Sequence, residues 1–180
     1  MSAIRVLVLG VLREQSMHGY EVRQELESWG AEQWANIAYG SIYSALTKMA
    51  EEGLIEVADT HEPGSRPART VYAITMRGRD EFQRLVRAFW WEHRPTIDPF
   101  QVALTFADCL PRDELLAALR HRASGIRAFL EAFPFVLRAK SAPGVPRHIA
   151  ENLRLAAAHS ETELRWIEDA IGKVEREELP

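Results

Sequence analysis

Residues 41 to 51 read Ser-Ile-Tyr-Ser-Ala-Leu-Thr-Lys-Met-Ala-Glu. Laid on a helix at 100° per residue, Ile42, Ala45, Leu46 and Met49 share one arc of about 100° and face a core. Ser44 and Thr47 stand opposite, with Ser41, Tyr43 and Lys48 flanking them. That outer face carries hydroxyls, a phenol and one ammonium, and no carboxylate before Glu51. Small hydroxylated side chains permit close approach to a duplex and can hydrogen-bond base edges or phosphates, and a cation suits phosphate or guanine. A solvated helix face would need the same residue types. What favours nucleic acid is the segment downstream, where Arg66 and Arg69 lie in and just after a loop of ten residues, Asp59 to Ala68, longer than a purely structural hairpin requires.

Other chemistries find little support. Six histidines are dispersed without an HExxH pattern, so no metal is expected. The single cysteine, Cys109, excludes an internal disulfide or a multi-cysteine cluster, and reads as a small buried hydrophobe. No phosphate-binding loop, dinucleotide fingerprint or GxSxG elbow occurs, so neither a cofactor nor a catalytic centre is expected. Phe89, Trp90, Trp91 and His93 form an aromatic cluster. It reads either as packing at a seam between two copies or as a pocket that stacks a planar effector. Leu153, Leu164, Trp166, Ile167 and Ile171 read as the core of a dimer interface.

The elements that must position these residues follow from periodicity and punctuation. Ile4 to Arg13 is an apolar-rich helix. A second helix starts near Ser16 as N-cap and runs to about Ser28, with Gly30 as its stop. A connection containing Trp34 and Ile37 leads to the helix Ser41 to Glu52, which Gly53 ends in a left-handed conformation. Leu54 to Ala58 and Arg69 to Thr75 are strands around the loop. Thr75 precedes a helix from about Arg77 to His93. Asp98-Pro99 caps a short helix to about Asp108. Pro111 opens another, which Pro134 should kink or stop. Ser141 to Pro146 is a linker, and the last helix spans about Arg147 to Glu178.

This order predicts a mainly α protein. Residues 1–80 form a winged helix-turn-helix domain of three helices and a two-stranded wing, and residues 81–180 a helical dimerisation and effector-binding domain. A final helix of about 30 residues is about 45 Å long, too long to bury its stripe on so small a domain, and a second copy is the expected cover.

Composition agrees. With 180 residues, 47% hydrophobic and 27% charged, the chain is a folded one. No apolar run approaches the ~20 residues of a membrane span. The N-terminus has no basic lead-in or cleavage pattern and does not read as a signal peptide, and with a single cysteine the expected compartment is the cytoplasm. The net charge of −4 argues against a surface that binds polyanions everywhere, and leaves room for a local patch. From Ile37 to Arg79 five cations face five anions, so affinity per chain should be modest and salt-sensitive.

The motifs also carry a resemblance. Met17-His18-Gly19-Tyr20-Glu21-Val22, Tyr39-Gly40-Ser41-Ile42-Tyr43, Met49-Ala50-Glu51-Glu52-Gly53-Leu54-Ile55, and Arg66 to Thr75 followed by Arg77-Gly78 occur in one order and spacing. This set resembles the PadR family of bacterial transcription regulators. Residues 81 to 180 resemble the helical extension of its longer, virulence-activator-like members. The resemblance implies a homodimeric winged-helix repressor of double-stranded DNA, released by a small aromatic or drug-like effector. By position it implies DNA contacts at Tyr20, Ser41, Tyr43, Ser44, Lys48, Arg66 and Arg69, to which the helical wheel adds Thr47. The chain departs from the common pattern at Ala38-Tyr39, where Ser-Pro is usual, at Ser44, often proline, and at the extra Ala68. Two other classes stay open: a winged-helix protein-interaction module that never touches DNA, and a small enzyme.

Overall fold

The computed structural model describes residues 3–60, 70–93, 95, 97–140 and 147–179. It divides into two compact units, Met1–Pro95 and Thr96–Pro180.

In the first unit, helix α1 (Ala3–Leu12) leads to a two-residue strand β1 (Met17–His18) and helix α2 (Gly19–Ser28). A short helix α3 (Ala31–Ala35) precedes α4 (Ser41–Glu51). Strands β2 (Ile55–Thr60) and β3 (Thr70–Ile74) follow, and then helix α5 (Met76–Trp91). The sheet is antiparallel in the order β1-β3-β2, with Met17 opposite Tyr72 and Ile55 opposite Ile74. The pairing slips between Val57 and Asp59, a bulge in β2. This is the winged helix-turn-helix expected, with two additions. The wing gains β1 as a third strand, and α3 occupies the Trp34 connection.

The core collects the apolar faces the wheel predicts. Val8, Leu9 and Leu12 of α1 pack with Val22 and Leu26 of α2 and with Ile42, Leu46 and Met49 of α4. Burial of such side chains contributes roughly 1.5–3 kcal/mol each. The helix α2 starts after His18, two residues later than the Ser16 cap expected, because Met17 and His18 are recruited to β3. The Glu21 carboxylate accepts from the His18 amide at 2.7 Å, which satisfies that helix end.

At the end of α4 the chain turns through Gly53 with φ +69°, the left-handed residue expected. The Leu54 amide donates to the Met49 carbonyl and the Gly53 amide to that of Ala50, both at 2.9 Å. Thr75 then caps α5. Its hydroxyl accepts from the Gly78 amide at 3.1 Å and faces the carbonyls of Gly53 and Leu54 at 2.8 and 3.0 Å. A Cβ on Gly78 would lie 2.0 Å from the Leu54 carbonyl oxygen, so only glycine permits this contact. Helix α5 joins the first unit through Leu85, which is buried, and Phe82, which packs against the core. Helix α5 is therefore part of the first compact unit, which extends to Pro95.

In the second unit, Asp98 caps α6 (Pro99–Thr105) by accepting from the Phe100 amide at 2.9 Å. A 3-10 turn (Ala107–Cys109) leads to α7 (Arg112–Lys140), and α8 (Arg147–Glu175) follows. Cys109 is exposed rather than buried, because it sits on that turn beside the exposed Asp108 and Leu110. Helix α7 runs unbroken through Pro134. Half-buried Leu130, Phe133 and Leu137 keep one face on both sides of the proline, and tertiary packing outweighs the lost hydrogen bond.

Helices α7 and α8 pair antiparallel. Leu119 and Ala123 pack with Ile167, Ala170 and Val174. Along the seam, arginines of α7 meet glutamates of α8 and of the turn after it: Arg112 with Glu177 (2.8 Å), Arg120 with Glu175 and Arg127 with Glu168 (both 2.6 Å), and Arg122 with Glu163 (2.5 Å). The stripe of the last helix is thus covered in part within the chain. The expectation that a second copy covers it is narrowed to the part of the stripe that α7 leaves open. Among the described residues no helix is long and apolar enough to cross a membrane.

Candidate nucleic-acid interface

Helix α4 lies with one side in the core and the other in solvent. Ile42 and Leu46 are fully buried, while Ser41, Tyr43, Ser44, Thr47 and Lys48 are all exposed. The start of α2 approaches α4 closely. A Cβ on Gly19 would lie 3.2 Å from both Leu46 and the Tyr43 ring, so a small residue there lets the two helices cross tightly. That crossing brings Tyr20, 60% exposed, to the same face as Tyr43, 45% exposed. Tyr20 and Tyr43 border a groove of about 720 Å³ that β3 closes with Thr70 and Tyr72.

The hydroxyls of α4 are already engaged. Ser41 donates to the Ala38 carbonyl at 2.6 Å, Ser44 to that of Ser41 at 2.8 Å, and Thr47 to that of Tyr43 at 3.1 Å. In this state each presents lone pairs outward and can accept from a base amino group. Donating to a phosphate would require the hydroxyl to rotate away from its carbonyl. Among the residues read from the sequence, the outward donors are therefore the Lys48 ammonium and the phenols of Tyr20 and Tyr43. The Ser41 bond to Ala38 also stands at the helix start where the usual hydroxyl before the glycine is missing.

Four residues at this face escaped the sequence reading as site residues. His18, Glu21 and Gln24 line the groove. The His18 ring nitrogen Nδ1 lies 3.4 Å from the Thr70 carbonyl, which ties the start of α2 to the root of the wing. Arg23 of α2 stands near Tyr43 and Tyr20 and pairs with Glu27 at 2.6 Å. Its guanidinium is held above its ordinary value first by the hydrogen bond and charge of Glu27. The His18-x-x-Glu21 spacing is a capping signature, and it was the legible clue to this corner. Arg66 and Arg69 lie outside the described residues.

The aromatic cluster is open. Phe89 is half-exposed, Trp90 and Trp91 are 85% and 86% exposed, and His93 is exposed. Of the residues assigned to a dimer seam, Ile167 is fully buried inside the second unit against α7 and has no surface left for a partner. Leu164 and Ile171 edge that same core, and Leu153 is half-buried. Trp166, 39% exposed, stands edge-to-face on Phe100 with centroids 5.9 Å apart.

Residues 8–84 match the model of the PadR-like family of transcriptional regulators. A curated relative, the negative transcriptional regulator PadR of Bacillus subtilis (strain 168), is 28% identical over 119 residues. The match covers 63% of this chain and 62% of that relative's length. Two solved structures share the fold over nearly the whole chain. Bacillus subtilis PadR in complex with operator DNA has a TM-score of 0.73 at 20% identity, covering 94% of this chain and 98% of that one. The Vibrio cholerae virulence activator AphA has a TM-score of 0.70 at 18% identity, covering 96% and 98%. Bacillus subtilis PadR has also been solved with p-coumaric acid, with a TM-score of 0.72 at 19% identity, covering 96% and 99%.

Proposed function

Because residues 8–84 match the model of the PadR-like family of transcriptional regulators, a family of regulators and not of enzymes, we propose that this chain is a sequence-specific repressor that binds operator DNA as a homodimer. The observation that carries the reading is the outer face of α4: Ser41, Tyr43, Ser44, Thr47 and Lys48 exposed, the opposite side sunk in the core. Helix α4 enters the major groove. Lys48 and the phenols of Tyr20 and Tyr43 reach phosphates, and the serine and threonine oxygens accept from base edges. Arg66 and Arg69 of the wing reach the flanking backbone. The kinship to a negative regulator in Bacillus subtilis supports the repressing sense.

One reader with so few cations binds weakly. Two readers about 34 Å apart, one helical turn, would supply useful affinity and explain a dimer. The open aromatics Trp90 and Trp91 need a cover, and a second copy is the one proposed. A small aromatic effector held against Phe89, Trp90, Trp91 and His93 would release the DNA only if it bound one spacing of the readers better than the other. Binding of p-coumaric acid by the Bacillus subtilis protein supports an effector of this kind.

A gel-shift on the DNA upstream of the gene, combined with light scattering, tests the proposal. Specific binding of a dimer that weakens steeply with salt is the expected result. Absence of binding at low salt would leave the winged helix as a protein-interaction module, a reading that the net charge of −4 favours.

A further inference from the structure

The second unit contains a hollow of about 630 Å³ between α6, the 3-10 turn, the first turns of α7 and the last turns of α8. Its volume falls in the range of small-molecule sites. It exists because alanines line it: Ala103 and Ala107 on one side, Ala118 and Ala170 on the other. Leu104, Leu115 and Val174 make most of the remaining wall apolar.

Two flat side chains are fixed in that wall. Phe100 and Trp166 meet at an interplanar angle of 80°. The Arg122 guanidinium lies 3.9 Å from the Phe100 ring centroid, and Glu163 and Asp98 both hold Arg122. The rings are thus positioned by a chain of contacts before anything binds, which favours a rigid planar guest.

Charge selects the guest further. The charged residues of the lining are Asp108, Asp169 and Lys173. Lys173 already pairs with Asp169 at 2.5 Å, so the lining offers no unpaired cation and carries a net charge of one negative. We propose that this hollow is a binding site for a planar, apolar small molecule that bears no negative charge, separate from the aromatic cluster of residues 89–93. The proposal does not depend on DNA binding.

The test uses the full-length protein and two fluorescent probes that differ by one anionic group: N-phenyl-1-naphthylamine, which is neutral, and its 8-sulfonate. The neutral probe should brighten and saturate at one per chain. The sulfonate should bind at least 10-fold more weakly. Ala103→Phe and Ala118→Phe fill the hollow from two different helices at exposed positions, and each should weaken the neutral probe at least 10-fold with an unchanged melting curve. Equal binding of the two probes, or undiminished binding by whichever filled variants melt normally, would overturn the proposal. So would a fall in molecular mass when either variant is made, because a second copy would then be the natural occupant. Gel-shifts on the same variants should match the parent, so loss of probe binding and loss of operator binding are read separately.

Discussion

Arg5 of α1 turns both terminal guanidinium nitrogens onto the carboxylate of Glu52, the residue that closes α4, with Nη1 donating to Oε1 at 3.2 Å and Nη2 to Oε2. A bidentate pair of this kind fixes direction as well as distance. It clamps the far end of α4 to α1, whose Val8, Leu9 and Leu12 lie in the core. Among the described residues, Arg5 Nε is the one buried side-chain polar atom left without a hydrogen bond, so the pair holds a partly desolvated cation.

The clamp should make the first unit acid-sensitive. The hydrogen bond from Arg5 holds the Glu52 carboxyl below its ordinary value. A carboxyl lowered in the folded state contributes stability that is present above its unfolded value and is lost as pH falls through its folded value. Melting temperature measured against pH should therefore decline below the ordinary glutamate range. Glu52→Gln should melt lower at neutral pH and converge with the parent in acid. The variant's profile should be flatter, not flat, because the bond from Arg84 lowers Glu81 in the same way.

Removing the one cation on the outer face of α4 should act on affinity and leave assembly alone. Lys48→Ala should weaken operator binding by a similar factor on every sequence and reduce the salt slope by about one per reader. Light scattering should return the parent's mass. An unchanged salt slope would remove Lys48 from the interface.

Gly78→Ala should damage the fold severely. The added methyl would sit 2.0 Å from the Leu54 carbonyl oxygen, a backbone atom that Thr75 also engages and that cannot withdraw cheaply. The cost should reach the upper end of the roughly 1–3 kcal/mol of overpacking, or exceed it. Circular dichroism melts of the variant would show it.

Pro134→Ala should stabilise α7. The helix continues through an exposed proline, and alanine is favoured over proline in a helix interior by about 3 kcal/mol. A higher melting temperature is expected, and a lower one would mean that the proline shapes the packing of α7.

In the second unit, packing should outweigh charge. The seam pair Arg127–Glu168 is solvent-exposed, so Arg127→Ala should cost less than about 1 kcal/mol. Leu119→Ala, at the buried centre of that seam, should cost about 2–5 kcal/mol. Denaturant titration separates the two. Removal of residues 147–180 strips Ile167, Ala170 and Val174 from this core, and the truncated protein should be poorly soluble.

Local rules made much of this protein legible. The 3.6-residue period placed Ile42, Leu46 and Met49 inward and left Ser44, Thr47 and Lys48 outward. Gly53 announced the left-handed turn, and Asp98-Pro99 announced α6. Each of these depends on a residue and its neighbours within one turn, so the chain alone determined them.

Longer-range contacts decided the rest. Met17 and His18 are too short a run to read as a strand, and they become one only because β3 lies beside them. Pro134 sits in a helix because the face around it packs. Ile167 is buried by α7, not by another copy, because antiparallel pairing with Arg-Glu contacts on the seam is available within the chain. The hydroxyls of α4 accept outward because carbonyls of the preceding turn take their protons. A sequence states what each side chain can offer, but only the folded arrangement determines which partner reaches it first.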